Sequence, residues 1–297
     1  MKYVLTVVVG TYNRLDQLKR CIESIVANTT THTRVYVTDA GSTDGTIEYL
    51  SSIASESITP IFVGKKLGQA RAYNEVFKHV DSPFVCWLSD DNEVVNNGLD
   101  RAVNILENDR TIGMVALKTK DVQGPFADAP FIGGLSPAGI LNVNQGVLPT
   151  GLLQEIGGFS EEFRDYGIDN ALTAEVLFKG YKVVYTRAIA LHHYRNWSED
   201  PTSENYQWLQ QRHAVAKALY EKRYCSSAML KVDRKYTIKR AVAGLVRRTA
   251  RKIFSTRALQ RSATFRTISI VLSARFVSWL DLFSNKGKGY HLVQRIR

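Results

Sequence analysis

The chain has 297 residues, of which 44% are hydrophobic, an ordinary composition for a globular protein with a sizeable core. Its three cysteines (Cys21, Cys86 and Cys225) are far apart and form no C-x-x-C pair. This argues against a disulfide framework or a zinc knuckle and favours a reducing compartment such as the cytoplasm. The apolar run at residues 3–9 is too short for a secretory signal, and no apolar segment reaches the ~18 residues of a membrane span.

The net charge of +11 is concentrated at one end of the chain. Residues 231–297 carry 17 Lys and Arg against two acids, a net charge of +15, whereas residues 1–230 carry 22 basic and 26 acidic side chains, a net charge of −4. Such a change in charge balance indicates two parts with different roles. We therefore predict a catalytic domain over residues 1–230 and a separate basic helical region over residues 231–297.

Strand and helix patterns alternate through the first 120 residues. Short runs typical of strands cover residues 3–9, 34–38, 60–63, 84–88 and 113–117, and apolar residues recur at helical spacing in 15–28, 45–53, 68–79 and 97–108. Strands separated by helix-length segments predict βαβ units. The expected fold is α/β, with a mostly parallel sheet and helices on both of its faces.

The rest of the chain is less regular. Residues 119–145 lack periodicity and are rich in Gly, Pro and Asp, which predicts a long functional loop. Helical patterns return at 149–156, 168–179 and 205–223, with a strand pattern at 181–185. In the basic region, residues 236–254 have the pattern of an amphipathic helix, and a second apolar segment covers 268–283.

Polar side chains follow several predicted strands, where ligands of parallel α/β sheets bind. Thr11 and Tyr12 follow the first strand, Asp39 follows the second, and Asp90 and Asp91 follow the fourth. We expect these side chains to converge on one edge of the sheet. No G-x-G-x-x-G follows the first strand, which argues against a dinucleotide cofactor.

Asp90 and Asp91 form an adjacent pair of carboxylates. Such groups repel each other unless a cation or hydrogen bonds offset their charge. Oxygen ligands beside a phosphate suit Mg²⁺ or Mn²⁺. Considered alone, the pair is more often a solvated turn that caps the next helix, so the metal interpretation depends on the neighbouring motifs.

The segment around residue 68 has features of an anion site. Gly68 permits close approach of a ligand to the backbone at a helix N-terminus, which favours an anion. Arg71 and Asn74 follow one helical turn apart, and the planar fork of an arginine can hold a diphosphate or a nucleobase edge. The simpler alternative is a surface arginine.

Two later motifs also carry chemical groups. Asp169 heads the helix predicted over residues 168–179, where it could equally be a helix cap. His192 and His193 follow an apolar stretch, where either could be a partly buried structural histidine.

In this order, the motifs resemble family 2 of the inverting nucleotide-sugar glycosyltransferases, which have the GT-A fold. The resemblance covers roughly residues 3–197 and consists of a TYN turn, D-x-G-S-x-D-G-T, G-x-x-R-x-x-N, an x-D-D pair, GGF, G-x-D and a late histidine. It implies a Rossmann-like GT-A sheet. It also implies transfer of a sugar from a nucleoside-diphosphate donor, with UDP as the expected carrier, to a glycan or lipid-linked hydroxyl.

The resemblance implies a role for each matching residue. It places Asp169 as the catalytic base, Asp91 and His192 on a Mn²⁺ or Mg²⁺ ion with His193 as the alternative ligand, and the following residues in donor binding: Thr11, Tyr12, Asp39, Gly68, Arg71, Asn74 and Asp90. The base would take the proton of the acceptor hydroxyl, and the cation would offset the charge of the departing diphosphate. Inversion of the anomeric centre in a single displacement follows from the resemblance alone.

Four positions depart from the family pattern. Ile168, Ala171 and Glu175 stand where a Glu, an Asp and an Arg are usual, and Gly10 replaces the usual proline before the TYN turn. We therefore expect the acceptor side of the pocket to differ from that of commoner members. A catalytically inactive binder of nucleotide sugars or carbohydrates is the main alternative, although the retention of all three aspartates argues against it.

The basic region permits three interpretations. An apolar stripe, aromatic residues and abundant arginine suit the anionic inner face of the cell membrane, where a lipid-linked acceptor would lie. The helices could instead pack on the catalytic domain with a solvated basic face. Binding of nucleic acid is the third and least favoured interpretation, and its signature would be a steep salt dependence.

Overall fold

A computed structural model describes residues 2–133 and 140–224, together with the backbone of one strand at residues 290–294. Its strands are β1 (Leu5–Thr11), β2 (Thr33–Asp39), β3 (Ile58–Phe62), β4 (Phe84–Ser89), β5 (Asn92–Val94), β6 (Ile112–Ala116), β7 (Thr119–Asp121), β8 (Gly146–Pro149), β9 (Lys182–Thr186), β10 (Leu191–His193) and β11 (Tyr290–Gln294). The helices are α1 (Leu15–Ala27), α2 (Thr46–Ile53), α3 (Gln69–Phe77), α4 (Gly98–Asn108), α5 (Thr150–Ile156), α6 (Ile168–Phe178) and α7 (Glu204–Tyr224), with a 3₁₀ turn at Glu161–Phe163.

The main sheet has eight strands in the order β11-β9-β6-β8-β4-β1-β2-β3. Strands β1 to β4 are parallel neighbours, as are β6 and β9, whereas β8 and β11 run in the opposite direction. The valine-rich strand β1 is central, and its side chains alternate between two cores. Val8 packs on one face, and Val7 and Val9 pack on the other.

Helices cover both faces of this sheet, as the sequence predicts. One core lies beneath α3, α5, α6 and the end of α7, and the other lies beneath α1, α2 and α4. The apolar spacing in α1 explains its position, because Leu18, Cys21, Ile22 and Ile25 all lie on its buried side. The expectation of an α/β fold with a mostly parallel sheet is confirmed.

A second, three-stranded sheet has the order β5-β10-β7. Strand β10 is antiparallel to β5 and parallel to β7. Neither this sheet nor β8 is predicted from the sequence, in which residues 119–145 have the pattern of a loop. This small sheet places Asp121, His192 and His193 close to the end of β4.

The final described segment is also a strand. Strand β11 pairs antiparallel with β9 and extends the main sheet at its edge. The helix predicted over residues 236–254 and the apolar segment at 268–283 lie outside the described residues. Within the part of the chain that the structure covers, none of the helices is both long and apolar enough to span a membrane.

Candidate active site

A cavity of about 1210 Å³ lies at the carboxyl ends of β1, β2 and β4. As expected for a parallel α/β sheet, the polar residues that follow these strands converge there. The cavity is lined by seven of the ten residues that the resemblance assigned: Thr11, Tyr12, Asp39, Gly68, Asp90, Asp91 and Asp169. It is lined by His193 but not by His192, and Arg71 and Asn74 also lie outside its lining.

Asp90 and Asp91 are held by hydrogen bonds from the loop after β1. Thr11 Oγ1 donates to Asp90 Oδ2 at 2.9 Å, and one guanidinium nitrogen of Arg14 lies 3.0 Å from Asp90 Oδ1 and 3.3 Å from Asp91 Oδ2. Burial raises the pKa of Asp90 to about 6, although the charge of Arg14 opposes this effect. Arg14 therefore acts as a counter-charge for the pair, a role that the sequence analysis did not assign to it.

Asp91 faces His193 on the other side. The Nε2 atom of His193 lies 3.3 Å from Asp91 Oδ1. Burial raises the pKa of Asp91, but His193, Arg14 and Arg195 more than offset this, so its pKa lies below the ordinary value. The carboxylate of Asp91 thus stays ionised near neutral pH.

The ring of His193 is oriented by a buried carboxylate. Its Nδ1 atom lies 2.8 Å from Asp121 Oδ1, and Asp121 Oδ2 accepts a hydrogen bond of 2.7 Å from Arg195 Nε. Burial lowers the pKa of His193, but the carboxylates of Asp121 and Asp91 raise it above the ordinary value. Because a carboxylate can only accept, Asp121 holds a proton on Nδ1 and directs Nε2 towards Asp91.

His192 is not beside Asp91, which corrects the choice between the two histidines. Its Nδ1 atom lies 3.2 Å from Glu93 Oε2, a group that also accepts a hydrogen bond from Tyr194. The reason is the strand β10, in which successive side chains point to opposite faces. His193, which the sequence analysis named as the alternative, is the histidine that reaches the cavity.

Asp39 organises the loop that follows β2. Its carboxylate accepts hydrogen bonds from the backbone N–H groups of Gly41 and Ser42 and from the Ser42 hydroxyl. Asn13 joins this loop to the one after β1, because it accepts a bond from Thr43 N and its own N–H donates to Ser42 Oγ. Asp39 is fully buried, and it lies in the cavity wall.

Tyr12 and Gly68 both line the cavity. The ring of Tyr12 is 38% exposed, and the ammonium of Lys66 lies 3.7 Å from its centroid. Gly68 has a φ of +90°, and a side chain there would meet Arg164 at 2.7 Å. The next residue, Gln69, donates its N–H to Asp165 at 2.9 Å. Glycine at position 68 is thus required by backbone conformation and by close packing.

Arg71 and Asn74 do not reach this cavity, contrary to expectation. Arg71 is exposed beside Glu161 and Glu162 in a separate small depression. Asn74 is buried, and its amide forms two hydrogen bonds of 2.8 Å with the backbone N–H and C=O of Phe159. Asn74 therefore fixes the GGF turn against α3, and of the three residues that define the motif only Gly68 lines the cavity.

Asp169 lies in the cavity wall at the first turn of α6. Its side chain remains partly open to solvent through the cavity, although protein atoms surround it closely. Burial raises its pKa to about 7, against the lowering effect of the backbone N–H groups of Asn170 and Asp169 itself. A carboxyl group with this pKa can take up and release a proton near neutral pH.

The described part of the chain contains no cluster of three or more His, Cys, Asp or Glu side chains that could hold a metal ion. Asp91 and His193 nevertheless fit as two ligands of one ion. Asp91 Oδ1 is buried and accepts no hydrogen bond of good geometry, and His193 Nε2 lies 3.3 Å away. Ligands about 2.1 Å from one octahedral ion lie roughly 3 Å apart, and Mg²⁺ sites commonly combine one or two protein groups with substrate phosphates and water.

Part of the chain is similar to a known protein family. Residues 6–142 match the family described as Glycosyl transferase family 2. An uncharacterized glycosyltransferase from Nostoc sp. is 27% identical over 114 residues, which make up 37% of this chain and 35% of the relative. The chain thus spans about a third of the length of that relative. Residues 6–142 of this chain are thus similar to glycosyltransferase family 2.

Solved structures show the same fold. The mannosyltransferase PcManGT from Pyrobaculum calidifontis, in complex with GDP-Man and Mn²⁺, is 18% identical with a TM-score of 0.55, over 96% of this chain and 88% of that one. Residues 1–349 of S. aureus TarS are 14% identical with a TM-score of 0.53, over 97% of this chain and 98% of that one. The fold of this chain is the GT-A fold that the motifs implied.

Proposed function

We propose that the chain transfers a sugar from a UDP-sugar to a hydroxyl group with inversion at the anomeric carbon, and that Asp169 is the base. The observation that carries this proposal is the presence of two complementary sites in one cavity. Asp91 with His193 can hold a cation, and Asp169 can accept a proton near neutral pH. Donor activation and proton removal are the two requirements of sugar transfer to a hydroxyl.

The cation site supports departure of the nucleoside diphosphate. Asp91 and His193 would hold Mn²⁺ or Mg²⁺, and the ion would supply positive charge to the diphosphate as the bond to the sugar breaks. Arg14, Lys65 and Lys66 also line the cavity and would add positive charge around the leaving group. Tyr12, which lines the cavity beside Lys66, would stack on the nucleobase.

Asp169 supports removal of the acceptor proton. The acceptor O–H proton would move to Asp169 while the acceptor oxygen bonds to the anomeric carbon. The bond from that carbon to the diphosphate oxygen breaks, and the diphosphate leaves with the electron pair. Attack opposite the leaving group inverts the anomeric centre in one step, so no covalent sugar–enzyme intermediate is required.

A UDP-release assay with labelled UDP-sugars tests this proposal against the alternative of an inactive binder. We expect UDP release that requires Mn²⁺ or Mg²⁺ and is lost in excess EDTA and in Asp91→Asn. GDP-mannose serves as a second donor because PcManGT binds GDP-Man. Nucleotide-sugar binding without any release would contradict the proposed transfer activity and favour the inactive binder.

For the basic region 231–297, we propose docking on the anionic inner face of the cell membrane. The support is the net charge of +15 beside a catalytic domain of net charge −4. Near an anionic surface each Lys or Arg contributes about 1 kcal/mol. Docking would bring the cavity close to an acceptor that is linked to lipid.

A further inference from the structure

One wall of the cavity is built from aromatic rings that the proposed chemistry does not use. We define this aromatic wall as Phe126, Tyr166, Trp197, Trp208 and His213, all of which line the cavity. The rings form a continuous series of edge-on contacts, with centroid distances between 4.8 and 6.3 Å. Edge-to-face contacts fix the orientation of each ring, so the wall is a preformed surface.

The outer end of the aromatic wall is open to solvent. Trp208 is 46% exposed in the described structure, and the guanidinium of Arg212 lies 5.3 Å from its ring centroid. Burial and the charge of Arg195 lower the pKa of His213, which leaves its ring uncharged at neutral pH. Exposed aromatic surface beside hydrogen-bonding groups is typical of a binding site, because core packing does not explain it.

A second observation comes from the residue next to Asp169. Asn170 Oδ1 is buried in the cavity lining, and within the described structure it accepts no hydrogen bond. Buried polar atoms in native proteins nearly always have a partner, so this oxygen requires a donor from a ligand or from water. A ligand hydroxyl would supply that donor directly beside Asp169.

We propose that the aromatic wall is the acceptor site and that the acceptor is a saccharide. A pyranose ring has an apolar C–H face, which can stack on Trp208 and Tyr166, and a rim of hydroxyl groups, which can donate to Asn170 Oδ1. One of these hydroxyls would then be presented to Asp169. This inference rests on the proposed function, since it identifies the substrate class that meets the base.

The cavity is large enough to hold two ligands at once. Pockets for single small molecules commonly have volumes of about 300–1,000 Å³, whereas this cavity has about 1210 Å³. The strand-end residues Tyr12, Asp90 and Asp91 line one part of it, and α7 contributes Trp208 and Arg212 to another. A lipid hydroxyl would offer Asn170 Oδ1 at most one donor, whereas a saccharide offers both an apolar face and several donors.

Saturation-transfer NMR tests this inference on the full chain. The probes are the methyl glycosides of glucose, galactose, mannose and N-acetylglucosamine, each measured with UDP and Mg²⁺ present. We expect at least one glycoside to receive saturation, chiefly at its ring C–H protons. Trp208→Ala should weaken its apparent affinity at least tenfold, and Trp208→Phe should restore most of it.

The matched control is Val215→Ala, which changes another exposed residue of α7 outside the cavity lining. It should leave glycoside binding unchanged, and thermal denaturation should show that all three variants fold. The proposal is overturned if no methyl glycoside binds the wild type, if Trp208→Ala binds as well as the wild type, or if only 1-octanol gives a signal. UDP-sugar hydrolysis in water is a separate readout: its persistence would leave the proposed function intact, and its absence would reject that function.

Discussion

Asp91 and its neighbours explain how two adjacent carboxylates coexist in the cavity wall. Arg14 lies between Asp90 and Asp91, and His193 lies on the far side of Asp91. Opposite charges within ~4–6 Å favour the ionised form of a carboxyl group. The site therefore has its own counter-charges before any cation binds.

The two histidines of β10 provide a matched pair of substitutions. We predict that His193→Ala will lower metal-dependent turnover at least about a hundredfold, because charge stabilisation of a leaving group contributes on that scale. His192→Ala should retain activity within about threefold, since His192 contacts Glu93 outside the cavity lining. UDP release as a function of Mn²⁺ concentration measures both effects, and equal losses in the two variants would contradict the assignment of His193.

The raised pKa of Asp169 predicts that the catalytic activity depends on pH. A base must be deprotonated to act, and burial raises the pKa of Asp169 to about 7. We expect kcat/KM to be highest above pH 7 and to fall about tenfold per pH unit well below it. Asp169→Asn should reduce kcat by at least about a hundredfold while donor binding persists. A flat profile between about pH 5.5 and 8.5 would indicate a different base.

The departures from the family pattern have local explanations. Gly10 N–H donates to the hydroxyl of Tyr73 at 2.9 Å, and a proline there would lack that donor. Ala171 is buried in the core beneath α6, and Glu175 accepts a hydrogen bond from Tyr224 of α7. Of the three departures near Asp169, only Ile168 lines the cavity.

At the scale of elements, hydrogen bonds from Asn74 hold α3 against the GGF turn. Asn74→Ala would leave the buried backbone N–H and C=O of Phe159 without their partners. Each unsatisfied buried group costs about 1–3 kcal/mol, so we predict a loss of at least about 2 kcal/mol in the free energy of unfolding. Urea denaturation measures this loss.

Arg71→Ala is the control for Asn74→Ala, because Arg71 is exposed one turn away on the same helix. It should change stability by less than about 0.5 kcal/mol. Unchanged stability in Asn74→Ala together with weaker donor binding would instead support the donor-binding role that the motif implied for Asn74.

Long elements with clear periodicity could be predicted from the sequence, whereas the short strands could not. Helix α1 and strands β1 and β4 lie within two residues of their predicted bounds. Strands β5, β7 and β10 have three residues each, too few to show an alternating pattern. Without β10, the sequence gives no means of deciding whether His192 or His193 reaches the cavity.

The same limit applies to groups that meet only in the folded chain. Asp91 is adjacent to Asp90 in sequence, so the pair was evident. Arg14, Asp121 and Arg195 were missed because their partners are 72 to 77 residues away. Of these three residues, only Arg14 has a local signal in the sequence. It directly follows the TYN turn, so its charge lies just beyond the first strand.

At the scale of the whole molecule, β11 determines how the basic region should be tested. Removal of residues 231–297 would also remove β11 from the edge of the main sheet. We therefore propose to replace Lys239, Arg240, Arg247 and Arg248 by Gln in the full chain. Near an anionic surface four such charges contribute about 4 kcal/mol, so binding to vesicles should fall at least about a hundredfold.

Flotation with vesicles of 30 mol% phosphatidylserine measures this binding, and neutral phosphatidylcholine vesicles are the control. High salt should weaken binding of the wild type without abolishing it, because apolar insertion is not screened. Equal flotation of wild type and variant would contradict membrane docking by charge. Steeply salt-dependent binding of RNA or DNA, without vesicle binding, would favour nucleic acid instead.

The configuration of the product tests the central claim most directly. The measurement is a ¹H NMR time course of UDP-α-hexoses with diamagnetic Mg²⁺, in which the anomeric proton of the first product is observed before mutarotation, with water or a methyl glycoside as acceptor. A single displacement assisted by Asp169 predicts a β-configured product, with Asp169→Asn forming it at least about a hundredfold more slowly. An α-configured first product, or full-rate turnover by Asp169→Asn, would contradict the account.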